Sequence, residues 1–477
     1  MKRSVAGRGP AGFMTRVIGV CWVAAQPGGL RGQAQDTTAS SGRGPRTAEQ
    51  RLFDWTHLQF PAAEYARRRE ALRAAISDDS GVILIPSANG LSHGDTFRQT
   101  DDFYYLTGLE LPQSVLVIDL PTGRPTLFAP HRDVRFESDT RSNDFPGRPL
   151  ADDPQLPAVS GIADIRPLEG LEVALREWAR LLVTVHVNAG RPGELRHVVT
   201  SLIPDWDPQL LSLYHLQAKY PNLRLANAYE AVARVRMVKS PLEIEALRRT
   251  ARSTESAIRA AAREVRDGVT ERGLEAGFES ACKRNGAQRI AFASIIKSGP
   301  NSLWPWRVLA SHYDRRNRAM HDGELVIFDV GCELDYYVSD VGRTFPVSGR
   351  FSDAQRAVLE LEVAVADAII AAVRPGVTLA DLQAVAEARI PADQRPYMQT
   401  GLYFGHHIGQ STGDPSLADA PLEPGMVFTV EPWYYDHEHG VAVFTEDEIL
   451  VTSEGAEILT RTLPRDPDGL EALVRER

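Results

Sequence analysis

The sequence is short of cysteine, of excess positive charge and of long apolar runs, and each shortage removes a class of protein. Cys21, Cys282 and Cys332 are the 3 cysteines in 477 residues. They are too few for a disulfide framework and too widely spaced for a CxxC zinc or redox pair, so Cys282 and Cys332 are expected to be ordinary buried thiols. Lys and Arg number 53 against 63 Asp and Glu, a formal net charge of −10. Without a clustered basic stripe, that balance speaks against a nucleic-acid partner. No stretch approaches the roughly 18 consecutive apolar residues of a transmembrane helix, and no internal repeat with a period of about 20–50 residues is found.

What is present is enough apolar sequence, 43% of residues, for two cored domains. The first 35 residues carry five basic residues and no acid, with an apolar run VIGVCWVAA from Val17 to Ala25. This resembles a secretory leader and predicts export to a periplasmic or extracellular space. The alternative is a cytoplasmic protein with a disordered tail, or one whose start is Met14. The Ser/Gly/Arg-rich stretch from Thr37 to Thr47 reads as a flexible linker.

Folded sequence is expected from about residue 51. AAEYARRREALRAAI, Ala62 to Ile76, has helical period, and strand-like runs follow at Val82–Ile85, Val115–Leu120, Pro125–Ala129 and Leu181–Val187. Alternating strands and helices predict a mixed α/β layer domain over 51–232. A second block, 233–477, opens at SPLE: Ser240 can cap, Pro241 fits the first helical position, and Glu243 completes a capping box. A helix should run from Pro241 to about Glu264. Ser352 with Gln355, and Thr378 with Asp381, start two more by the same logic. With mostly antiparallel strands between them, the fold class is α+β.

The chemistry begins at FDVGCELDYYVSDVGRTFP, Phe328 to Pro346, which reads as two apolar strands with Asp329 and Asp340 set into them. Ten residues separate the two acids, a spacing that suits direct cross-strand pairing. Like charges opposed on a half-buried hairpin repel and lose hydration. Arg343 is the nearby cation, and one guanidinium serves both acids poorly; a divalent metal does so better. Downstream, His406 stands in GHHIG, Glu431 ends the run MVFTVEP, and Glu446 sits in FTEDEILV. Four carboxylates and an imidazole thus interrupt apolar strand signals. Two divalent ions would balance them charge for charge, and oxygen-rich ligation with one His suits Mn²⁺, Co²⁺ or Zn²⁺ in metal-assisted hydrolysis. His312, in ASHYDRRN, is by itself an ordinary surface or core histidine.

Together these motifs resemble the pita-bread metallopeptidase family that contains aminopeptidase P, prolidase and methionine aminopeptidase. FRQTDDFYYLTG, Phe97 to Gly108, is similar to the amino-terminal domain of the two proline-specific members. The resemblance implies a curved antiparallel sheet with covering helices, preceded by a smaller α/β domain. It implies five metal ligands, Asp329, Asp340, His406, Glu431 and Glu446, with Asp340 and Glu446 shared between two ions, most commonly Mn²⁺. It makes Glu431 the candidate proton acceptor from the attacking water and His312 a substrate-contacting histidine. It further implies peptide substrates with proline second, and a dimer or tetramer.

One departure stands out. The family carries a second histidine seven residues after the HxxG ligand, where this chain has Gly413; His407, His437 and His439 are candidates to replace it. Trp304 and Trp306, in an unusually long link before His312, are candidate wall residues for the substrate entrance or simple packing. The expected activity is release of an N-terminal residue from Xaa-Pro peptides. The alternatives are a prolidase restricted to Xaa-Pro dipeptides, a weakly active or non-catalytic binding protein of the same fold, and a metal-free hydrolase similar to creatinase.

Overall fold

The structure, a computed structural model, describes residues 56–78, 80–89, 97–131, 150–191, 208–303, 317–398 and 405–476. The expected leader and linker, His312, Trp304 and Trp306 lie outside the described residues.

The first part is built on a six-stranded sheet. Its strands are β1 (Val82–Pro86), β2 (Val115–Asp119), β3 (Pro125–Ala129), β4 (Asp164–Pro167), β5 (Thr184–Val187) and β6 (Arg224–Asn227), in the order β4-β3-β2-β1-β5-β6. The three central strands pair antiparallel, joined where short turns allow it. At the PTGR turn Asp119 Oδ1 accepts the Thr122 N–H and Gly123 takes a left-handed φ of 67°. The outer pairs are parallel and so need longer crossovers. Successive residues of VILI serve opposite faces, as a period of two requires. Ile83 and Ile85 pack in one cluster with Leu72 of helix α1 (Ala62–Ala75) and Phe103 of α2 (Asp101–Thr107). Val82 and Leu84 pack in another with Leu175. The helices α3 (Leu156–Ser160), α4 (Glu169–Leu181) and α5 (Pro208–Lys219) complete the layers of this mixed α/β domain.

After α6 (Tyr229–Met237) comes α7 (Pro241–Ala262), whose capping box is formed as expected. Ser240 Oγ accepts the Glu243 N–H, and Glu243 Oε2 accepts the Ser240 N–H. Helices α8 (Glu271–Arg284), α9 (Asp353–Ala372), α10 (Leu379–Arg389) and α11 (Pro467–Arg475) follow; α9 and α10 start at the Ser352 and Thr378 boxes.

The strands of this part all pair antiparallel. One sheet is β12-β9-β8, from β8 (Ile295–Ser298), β9 (Leu325–Val330) and β12 (Val341–Pro346). A short extension joins β7 (Arg289–Ile290), β10 (Cys332–Leu334) and β11 (Tyr337–Val338). The return half comprises β13 (Val427–Val430), β16 (Asp447–Val451) and β17 (Ala456–Ile458), with the hairpin β14 (Trp433–Asp436) and β15 (Val441–Phe444) beside it. Among the described residues, the bridge from Gly342 to Glu446 ties the two halves.

Helices cover one side of these sheets. Val326, Phe328 and Val330 of β9, Val341 and Phe345 of β12, Phe428 and Val430 of β13, and Ile449 and Val451 of β16 all enter one cluster with Ile258, Phe278, Leu359 and Ile369 of the helices. Residues one step out of phase, Asp329, Gly342 and Thr429 among them, face the other side. The acids that looked misplaced in apolar strands therefore share the face the helices leave uncovered.

Two expectations need correction. Asp329 and Asp340 do not oppose each other: Asp329 pairs with Gly342, and Asp340 lies just outside the β12 run. The cause is the turn, where Asp335 and Tyr336 both take positive φ, 48° and 70°. That sets the register so that the two carboxylates are diagonal neighbours on one face. Cys282 of α8 and Cys332 of β10 are not separate thiols but a disulfide, their Cα atoms 5.7 Å apart across a sequence separation of 50. Linear spacing carries no trace of that contact.

Candidate active site

Five residues were expected to converge, and the fold brings them to one region. Asp329 is in β9 and Asp340 directly precedes β12. Glu431 follows β13, Glu446 precedes β16, and His406 lies in the chain alongside β13. The four acids sit at or next to strand ends, on the face the helices leave open.

Two glycines permit the close approach. A Cβ on Gly342 would lie 2.1 Å from the Phe444 ring. Gly405, at φ +145°, puts its chain so near β13 that a Cβ would fall 1.6 Å from the Thr429 carbonyl. The His406 N–H then donates to Thr429 Oγ1 at 3.1 Å, and the Thr429 N–H donates to the His406 carbonyl at 2.9 Å.

Asp340, His406 and Glu446 each offer a ligand atom, all within 4.8 Å of one another. His406 Nε2 is 3.3 Å from Asp340 Oδ2 and 3.7 Å from Glu431 Oε1. Glu431 accepts from the Thr429 hydroxyl at 3.3 Å and from Trp433 Nε1 at 3.4 Å. Thr429 thus braces both His406 and Glu431. Strand endings are slightly earlier or later than the sequence implies, since Glu431 and Glu446 flank their strands rather than lie within them.

The electrostatics are those of crowded, desolvated acid. Asp329, Asp340, Glu431 and Glu446 are all buried. Burial, then the charges of Asp340 and Glu431, push the Asp329 carboxyl well above the usual range. Burial, then Asp340, Glu431 and Asp329, do the same to Glu446. Burial raises Glu431 to about 7, with His406 opposing and Asp340 adding to the rise. Burial disfavours the imidazolium of His406, yet Asp340 and Glu431 carry it up to about 9.

Arg343, the side chain best placed by sequence to neutralise these acids, is turned away. It is fully buried and spends its donors on Asp447 at 2.7 Å and on the carbonyls of Gly342, Glu446, Leu463 and Pro464. Among the described residues, both Glu446 carboxylate oxygens and Asp340 Oδ1 are buried without a hydrogen-bond partner. Four carboxylates and one imidazole leave a deficit of positive charge that divalent cations would offset.

Sequence reasoning missed Glu448. Buried two positions beyond Glu446, it accepts the Asp340 N–H at 2.9 Å and a short hydrogen bond from the Ser339 hydroxyl; burial pushes it up to about 8. Its alternation with Glu446 in TEDEILV was the available signal. Glu362, buried on α9 with its carboxyl raised well above normal by burial, gave none beyond an acid in a helix.

Of the histidines considered as replacements at position 413, His407 turns its ring to Phe428, 6.3 Å between centroids. Burial and then Lys239 hold it down to about 3. His439 bonds Asp436 at 2.7 Å, and His437 stacks over Tyr435. Among the histidines of the described residues, His406 is the one whose ring enters the carboxylate cluster. A cleft of about 440 Å³ opens beside it, lined by Leu379, Gln383, Glu387, Gly405, His407 and Phe428 among others.

Comparison with known proteins places this geometry in context. Residues 245–453 match the model of metallopeptidase family M24, and residues 65–182 match that of the aminopeptidase P N-terminal domain. The chain is 28% identical over 461 residues to human Xaa-Pro aminopeptidase 3, covering 87% of this chain and 86% of that protein. It is 27% identical over 465 residues to the Xaa-Pro aminopeptidase of Escherichia coli, covering 86% and 97%. Its structure is similar to that of the Pseudomonas aeruginosa aminopeptidase PepP, with a TM-score of 0.70 at 26% identity over 88% of this chain and 99% of the other.

Proposed function

We propose, from the premise that this chain is an M24 metallopeptidase of the aminopeptidase P family, that it hydrolyses the bond between an N-terminal residue and a following proline. The observation that carries the reading is the Glu446 carboxylate, buried with neither oxygen hydrogen bonded and crowded by three further acids. Acids crowded and buried in this way are costly to keep ionised unless a cation fills the space between them.

Asp329, Asp340, His406, Glu431 and Glu446 would hold two divalent ions, and Mn²⁺ suits a set of four carboxylates and one imidazole. The chemistry such ions supply is acidification of water and polarisation of a carbonyl at neutral pH. The chain's own residues do the rest. Glu431 would take a proton from the attacking water and return it to the leaving nitrogen of proline. Thr429 and Trp433 fix its two oxygens for that exchange. Relatives named Xaa-Pro aminopeptidase, which align along nearly the whole chain, support the choice of peptide bond.

The test is release of free amino acid from Xaa-Pro-Yaa peptides and from Xaa-Pro dipeptides by metal-stripped protein with and without Mn²⁺, alongside Asp340→Ala. The expected result is Mn²⁺-dependent release from the tripeptides, lost by at least a thousandfold in Asp340→Ala. Activity on dipeptides alone would move the assignment to a prolidase. Equal activity in both proteins would refute it.

A further inference from the structure

The motif FRQTDDFYYLTG has so far found no role in the chemistry, although its Asp102 is buried and its Arg98 and Asp101 are half-buried in the first domain. We propose that Arg98, Asp101 and Asp102 of this motif, acting through Arg236 and Asp414, position the loop that carries His406, so that the first domain sets the geometry of the metal centre in the second. The proposal rests on the metal reading above for its consequence, though not for its structural content.

The observations form a continuous chain. Arg236, at the end of α6 and 3% exposed, donates from Nη1 to Asp102 Oδ1 at 2.8 Å; its Nη2 reaches Asp414 Oδ1 at 2.5 Å and Asp101 Oδ2 at 3.2 Å. Lys239 Nζ donates to the other oxygen of Asp414 at 3.0 Å. Arg98 donates to Asp101 Oδ1 at 2.6 Å, to Glu333 at 3.0 Å and to the Gln410 carbonyl at 2.5 Å. Arg289 closes the far side on Glu333 at 2.7 Å. Four cations, Arg98, Arg236, Lys239 and Arg289, meet four acids, Asp101, Asp102, Glu333 and Asp414. A buried cluster is tolerated only when matched in this way.

Both ends of the His406 loop are thereby fixed. At the near end Thr429 holds the His406 N–H. At the far end Asp414 closes the loop on itself, its N–H donating to the His407 carbonyl at 3.1 Å and its Oδ1 accepting the Gln410 N–H at 3.2 Å. The Gly409 carbonyl accepts the Val338 N–H of β11 at 3.0 Å. In between, Gly413 supplies no side chain, and a Cβ there would meet nothing within 4 Å. The loop lacks an anchor of its own at that point, and the charge cluster provides it one residue later. Asp414 and Arg236 are positioning residues that act on His406 through the backbone from 407 to 414.

The experiment uses the full chain and two variants. Asp414→Asn keeps the shape of the anchor and removes its charge. Arg98→Met frees the Gln410 carbonyl while Arg289 still holds Glu333 and Arg236 still reaches Asp101, a milder change that keeps the test open if the first variant does not fold. Amide hydrogen exchange is followed at residues 406–414 in metal-free protein, Mn²⁺ affinity is followed by the EPR signal of the free ion, and kcat and KM are separated. Expected are exchange at least tenfold faster in the loop, Mn²⁺ binding weaker by about 10–100-fold, and a loss in kcat larger than the change in KM. A folded variant with wild-type loop exchange and wild-type Mn²⁺ affinity would overturn the proposal. Wild-type protein that takes up no Mn²⁺ would instead sink the metal reading, and the exchange measurement would still decide whether the cluster positions the loop.

Discussion

At the scale of single residues, chemistry was legible because acids are out of place in strands. Asp329, Asp340, Glu431 and Glu446 each interrupt a run of Val, Ile, Leu or Phe, and the fold gathers them with His406 on the face without helices. What the sequence pattern got wrong was the direct opposition of Asp329 and Asp340, which are diagonal neighbours instead, because register is fixed by the backbone of Asp335 and Tyr336, neither a glycine nor an asparagine. Glu448 was hidden for a different reason: it sits behind Asp340 and holds its backbone N–H, a role no spacing announces. Gly413 yields a prediction. Its φ is not among the positive ones, and a Cβ there meets nothing within 4 Å, so Gly413→His should fold with a stability change within about 0.5 kcal/mol. If the site lacks a carbonyl-polarising donor, the new imidazole should raise kcat/KM on Xaa-Pro-Yaa peptides by about tenfold or more, against the roughly 10²–10³-fold that one such donor can contribute. Steady-state kinetics and a urea titration check both halves.

At the scale of elements, the helices that open block two were legible to the residue at their starts, because a capping box is a local device: Ser240 with Glu243, Ser352 with Gln355, and Thr378 with Asp381 all form it. Strand pairing was less legible. The six-stranded order β4-β3-β2-β1-β5-β6 depends on parallel contacts between distant segments, which local pattern does not encode. The Cys282–Cys332 disulfide is the extreme case, joining α8 to the strand that follows Asp329 across 50 residues. A cross-link closing a loop of that length restricts the unfolded chain by about 4 kcal/mol in the chain-entropy estimate. Cys282→Ala/Cys332→Ala protein should therefore be less stable by about that much near neutral pH, unfolding at lower urea with a steeper slope because the freed unfolded chain exposes more surface. A midpoint equal to wild type would mean the bridge does not persist in solution.

At the scale of the whole molecule, the buried charge cluster around Arg236 couples the two domains and gives stability a pH dependence. Burial alone would raise Asp414, but Arg236 and Lys239 outweigh it and hold the carboxyl down to about 2 from an ordinary 3.8. A carboxylate with a depressed folded pKa contributes stability that is full above its unfolded value and lost as pH falls through its folded one. Asp414 should thus contribute about 2 kcal/mol above pH 4, disappearing between about pH 4 and pH 2. Urea titrations across that window should show wild type converging on Asp414→Asn; parallel curves would remove Asp414 from the account. The cluster was half legible, since FRQTDD was recognisable as a motif while Arg236 lies 134 residues beyond its partner Asp102 and Gln410 lies 312 beyond its partner Arg98. The central claim is that five side chains hold two ions, and equilibrium dialysis against Mn²⁺ with elemental analysis tests it most directly. Two ions per wild-type chain and fewer than one per Glu446→Gln chain is the predicted result; a wild-type chain that binds none, or a variant that still binds two, would contradict it.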